Sequence, residues 1–190
     1  MKLLVSGLVL FLGIHSIRML APGWRERCVA RIGLLPWKGL YSVLSLLGLA
    51  LIVVGFGQAR QTPLAAWLLP AGLRHLNALF TLAAFVLIAA AYVPRNHFRT
   101  WLGHPMLAGV ALWALGHLLA TRFLHDVLLF GTFLVWALAC FIGSRRRDRG
   151  MARPAASLGG DAATLVLGIA GWAVFAFLLH LPLIGVSPGF

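Results

Sequence analysis

The sequence predicts an all-α polytopic bundle of about six membrane-spanning helices, with one short helix lying in the interface. Of its 190 residues 61% are hydrophobic, and mean hydropathy is +0.94, more apolar surface than a soluble domain of this length carries. Apolar stretches of near-spanning length recur along the chain, since about 20 apolar residues cross a bilayer as a helix. The sixteen Lys and Arg punctuate those stretches, against only four acids: Glu26, Asp126, Asp148 and Asp161. A net charge of +12 distributed in this way reports topology, with attraction to anionic lipid secondary, so membrane lipid and no nucleic acid is the expected partner.

The chain reads as a single domain, 1–190, with spans at about 2–20, 40–57, 77–93, 102–121, 126–143 and 162–184. The first span lacks a small-x-small cleavage site and reads as retained. Ala21-Pro22-Gly23 ends it, and Arg25, Arg27, Arg31 and Lys38 mark a basic loop. Trp37 and Tyr41 stand at the interface before the second span. Thr62-Pro63 reads as the cap and first position of the short interfacial helix, which Pro70 and Gly72 close. Pro94-Arg95 stops the third span, a tight turn around Arg122–His125 joins the fourth to the fifth, and an arginine-rich arm over 144–160 precedes the sixth.

With the N-terminus outside, twelve of the sixteen cations fall in inner loops and four outside. This orientation obeys the positive-inside rule and puts both termini in the periplasm of a bacterial inner membrane. Cys28 and Cys140 then lie toward the cytoplasm. They have no CxxC or metal-ligand spacing and read as free thiols.

The stretch His104–His117, HPMLAGVALWALGH, organises the fourth span. Pro105 suits the first helical position, and the residue before a proline is driven out of helical geometry, so His104 stands at the mouth and His117 inside. His75, His97 and His125 fall in loops and read as solvated, and His180 reads as an interface anchor. His15 and His117 lie inside spans without a carboxylate nearby in sequence. An ionisable residue there is a functional candidate. Its structural alternative is a neutral imidazole bonded to a backbone carbonyl.

Neutral imidazole is also the axial ligand that haem iron takes from a helix bundle. Gly109, Ala114 and Gly116 are small enough to admit a flat macrocycle, Trp113 and Trp136 are candidate walls, and Arg18, one turn after His15, is a candidate partner for a propionate. His104 and His117 are about 220° apart around a helix, so at most one of them joins His15 on a given iron. His15 lies roughly 8 Å from the inner end of its span and His117 roughly 20 Å from the start of its own, at 1.5 Å per residue. Depth therefore keeps His104 as a competing ligand.

The residues Gly13-x-His15-Ser16, His104-Pro105-Met106-Leu107-x-Gly109, Leu112-Trp113-Ala114-Leu115-x-His117 and the closing His180 with Ile184-Gly185-Val186-Ser187-Pro188 resemble the NnrU family along essentially the whole chain. That family includes bacterial membrane proteins named from denitrification gene clusters and the plastid 15-cis-zeta-carotene isomerase, a haem b protein. The resemblance implies haem b held by His15 and His117, and a nitrogen-oxide-related redox role or redox-dependent cis–trans isomerisation. The partner it implies is nitric oxide or a hydrophobic small molecule such as a polyene. The chain departs from the pattern at Gly103, where Arg is common, and at Thr121-Arg122, where Asn-Gly is usual.

His-Pro-x-x-x-Gly also resembles an element of isoprenylcysteine-type membrane methyltransferases, which use S-adenosylmethionine. Here Leu107 stands where those enzymes have Tyr, and no Glu follows His117. A non-catalytic assembly or regulatory factor is the third class compatible with the sequence.

Overall fold

The computed structural model describes residues 1–66, 74–151 and 155–188. Nine α-helices are assigned among them: α1 (Lys2–Leu20), α2 (Pro22–Ile32), α3 (Leu34–Ala59), α4 (Arg74–Tyr92), α5 (His97–Leu102), α6 (Pro105–Ala120), α7 (Leu124–Arg147), α8 (Leu158–Ala173) and α9 (His180–Ile184). A π-helical segment, Val174–Leu179, joins α8 to α9. Among the described residues five stretches are long and apolar enough to cross a membrane: α1, α3, His75–Tyr92 of α4, α7 and Leu158–Ile184.

The helix that carries His117 is shorter than the span expected at 102–121. Its 16 residues reach about 24 Å at 1.5 Å per residue, below the roughly 30 Å of a hydrocarbon core. The cause is local. Gly103 takes φ 73 and His104 φ −125, so the chain leaves α5 and re-enters helix only at Pro105. A side chain at position 103 would strain that left-handed backbone, which accounts for glycine there.

Other boundaries also move. The basic loop expected over 21–39 contains α2, with Pro22 at its first position and Gly33 at φ 88 ending it. The second span begins at Leu34 rather than 40, because Pro36 falls in the first turn, where its missing N–H costs nothing. The fifth extends to Arg147, its last turn carrying three arginines against the helix's negative end. The sixth starts at Leu158, capped by the Ser157 hydroxyl, which accepts from Gly160 N at 3.1 Å. Thr62-Pro63 starts no helix; Ala65 instead forms an isolated antiparallel bridge with Phe123. The rest of the expected interfacial helix, 67–70, lies outside the described residues.

The chain forms two compact units. The first comprises Met1–Ala66 with Phe123–Thr132. Within it α1 and α3 run antiparallel at backbone contact. A Cβ on Gly7 would lie 2.6 Å from Ile52 N and one on Gly48 2.9 Å from Phe11 N, while one on Gly55 would meet Leu4 N. Glycine at these crossings lets two apolar helices approach where lipid offers no competing hydrophobic drive. His125, expected in a solvated turn, is only 4% exposed. Its ring stacks on Phe123 at 5.5 Å and meets Phe56 edge-on at 5.2 Å.

The second unit comprises 67–122 and 133–190. Here α4 is sandwiched by glycine contacts. Gly109 of α6 faces Ala84 O, at 2.9 Å from a built Cβ, and Gly168 of α8 faces Val86 Cα at 2.6 Å. Asn96, 1% exposed, ties the end of α4 to α5. Its Nδ2 donates to Ala90 O at 2.9 Å and Val93 O at 2.7 Å, and its Oδ1 accepts from Arg99 N at 2.7 Å.

Candidate functional site

The two histidines inside spans adopt the same arrangement in separate units. His15 Nδ1 lies 2.6 Å from Phe11 O, and His117 Nδ1 lies 2.8 Å from Trp113 O, each four residues back on its own helix. A carbonyl only accepts, so Nδ1 carries the hydrogen in both rings. In the neutral imidazole the lone pair is then on Nε2. The carbonyl alternative raised by the sequence is therefore met at Nδ1, and it fixes the tautomer that a metal-binding histidine uses. Both rings are half-buried.

In the first unit His15 lines a cavity of about 270 Å³. Antiparallel α1 and α3 give it two tiers. The loop-side tier holds Arg18 from α1, Arg25 from α2 and Lys38 from α3. One turn deeper, His15 meets the Tyr41 ring edge-on at 5.2 Å and packs against Phe11 at 4.3 Å. Ile14, Ile17 and the buried Trp37 complete the lining. The structure thus brings His15 and Arg18 to one cavity, as their spacing implied, and adds Arg25, Lys38 and Tyr41. The sequence hid these three because they come from other helices.

In the second unit Trp113 lies 5.2 Å from the His117 ring and 5.6 Å edge-on from Phe133, which meets Trp136 at 6.4 Å. Trp113 therefore flanks His117, with Trp136 one ring further along. Gly116, beside His117, abuts Asn77, whose buried Oδ1 lies 2.8 Å from a built Cβ and has no hydrogen-bond donor among the described residues.

His104 is placed differently. It stands half-exposed at the first cap of α6, and its Nε2 lies 2.9 Å from Asp148 Oδ2. His97 makes a comparable pair, Nδ1 2.6 Å from Asp161 Oδ2, while its N–H donates to Asp161 Oδ1 at 2.7 Å. Three of the four acids thus face histidines, the third being Asp126, 3.6 Å from His125 Nε2. His180 holds Nδ1 2.8 Å from Val186 O at the end of the chain. Among the described residues no group of three or more His, Cys, Asp or Glu gathers as a metal cluster.

Long apolar helices and glycine-mediated crossings define a multi-pass helical membrane protein. Residues 3–188 match the family model described as NnrU protein, and the chain belongs to the NnrU family. Comparison with curated proteins and with solved structures finds no match.

Proposed function

We propose that this NnrU protein binds b-type haem, with His15 and His117 as imidazole donors, in a bacterial inner membrane with both termini periplasmic. The observation that carries the reading is the shared tautomer: each span histidine directs Nδ1–H to its own helix and keeps its lone pair on Nε2. This donor chemistry fits haem iron, which takes neutral imidazole axially. Carbonyl bonding at Nδ1 also raises the basicity of the ligating nitrogen and holds the ring in orientation.

Arg18 lines the same cavity as His15 and would hold a propionate carboxylate, while Trp113 would flank the macrocycle beside His117. His104 stays out of the ligand set, because its Nε2 is committed to Asp148. Haem held by these residues would supply one-electron chemistry and an iron able to bind a small ligand. Family membership supports a role in nitrogen-oxide metabolism or in redox-dependent isomerisation of a polyene. The residues named here would hold and orient the group.

The test is a pyridine haemochrome spectrum of detergent-purified protein expressed with ample haem supply. Stoichiometric b-type haem supports the reading. A blank spectrum leaves His15 and His117 as packing residues.

A further inference from the structure

Arg18, Arg25 and Lys38 gather at one tier of a single cavity, and none of the three is ion-paired with a carboxylate among the described residues. Like charges repel and do not collect without a reason. The arrangement asks for an anion.

The helix beside the cavity indicates where that anion comes from. On α2, Trp24, Cys28 and Ile32 recur at intervals of four and so form one apolar stripe, with Arg25, Arg27 and Arg31 between them. No residue of α2 is buried, and Trp24 and Ile32 stay 47% and 48% exposed. Trp24 meets Trp37 edge-on at 5.7 Å, an aromatic pair of the kind that settles at headgroup level. A basic amphipathic helix with its apolar stripe uncovered lies in the plane of a membrane surface.

We propose that the loop-side tier of this cavity, apart from the tier of His15, is a headgroup site for an anionic phospholipid, with Arg25 and Lys38 holding the phosphate and Trp37 packing the first carbons below it. Basic pockets between transmembrane helices select lipid head groups in this way. The volume agrees with a head group. At about 270 Å³ the cavity is smaller than the roughly 300–1,000 Å³ of pockets that enclose whole small-molecule ligands. It takes a phosphate and its glycerol, with the acyl chains left in the bilayer. The site does not use His15, and Arg18 remains for the carboxylate assigned to it above.

The test is native mass spectrometry of the full chain in detergent, offered phosphatidylglycerol or phosphatidylcholine of the same acyl composition, with haem content read on the same samples. The wild type should retain phosphatidylglycerol at least about tenfold more tightly. The double variant Arg25→Gln/Lys38→Gln should weaken phosphatidylglycerol by about 25-fold, near fivefold per cation removed, and phosphatidylcholine by much less, because its choline offsets the phosphate that the two lipids share. His15→Ala should keep the lipid preference whatever it does to haem, which separates this site from the haem reading. If the double variant fails to fold, the wild type in high salt decides: an ionic preference collapses there and a packing preference persists. Equal retention of the two lipids, or a preference that survives the double substitution, overturns the proposal. Displacement of the lipid by millimolar inorganic phosphate also overturns it and reassigns the tier to a soluble anion.

Discussion

His104 Nε2 lies 2.9 Å from Asp148 Oδ2, so the residue that opens α6 is held by the residue that follows α7. Both side chains are partly exposed, at 27% and 39%, and a pair in that setting contributes at most about 1 kcal/mol. His104→Ala should therefore lower stability by no more than that amount and leave haem content unchanged. Loss of haem in this variant, with His117→Ala retaining it, would transfer the ligand role to His104.

Asn96 should matter far more than its loop position suggests. Asn96→Ala removes both donors to the last carbonyls of α4 and the acceptor that caps α5. Leaving buried carbonyls unpaired costs about 1–3 kcal/mol, and losing the cap about 1 kcal/mol more. Thermal unfolding in detergent should shift down by several degrees. An unchanged midpoint would mean that the junction between α4 and α5 is held by other contacts.

Two glycines on α3 give a paired comparison. A Cβ on Gly55 would run into the backbone of Leu4, whereas nothing lies within 4 Å of one on Gly57. Gly55→Ala should cost about 1–3 kcal/mol by forcing the helices apart. Gly57→Ala should be neutral or slightly stabilising, since alanine favours helix. Equal effects at the two positions would contradict the antiparallel register of α1 and α3.

Orientation is tested by reporter fusions. A periplasm-active phosphatase fused after Pro188 should be active, and one fused after Arg147 should be silent. The reverse pattern would overturn the positive-inside assignment.

Local chemistry made the long apolar helices and the α6 cap legible, though not their bounds, because apolar length and Pro105 are properties of short stretches. The i−4 bonds of His15 and His117 follow from helical geometry, and so were foreseeable as one reading among others. Helix α2 was obscured by its arginines; the four-residue recurrence of Trp24, Cys28 and Ile32 was the signal for it. The histidine–aspartate pairs could not be read in advance, since they join residues 44 and 64 positions apart. The three cations of the cavity come from three helices, so no spacing in the chain announces them. The π-helical segment before His180 has no counterpart in the local apolar pattern, which is uniform across it.

The central claim is that the span histidines present Nε2 to haem iron. Optical spectra of the purified wild type, His15→Ala and His117→Ala test it most directly. The wild type should give the low-spin bands of a six-coordinate b-type haem, and each variant should lose haem or turn five-coordinate. A wild type without haem, or variants that keep low-spin spectra, would contradict it.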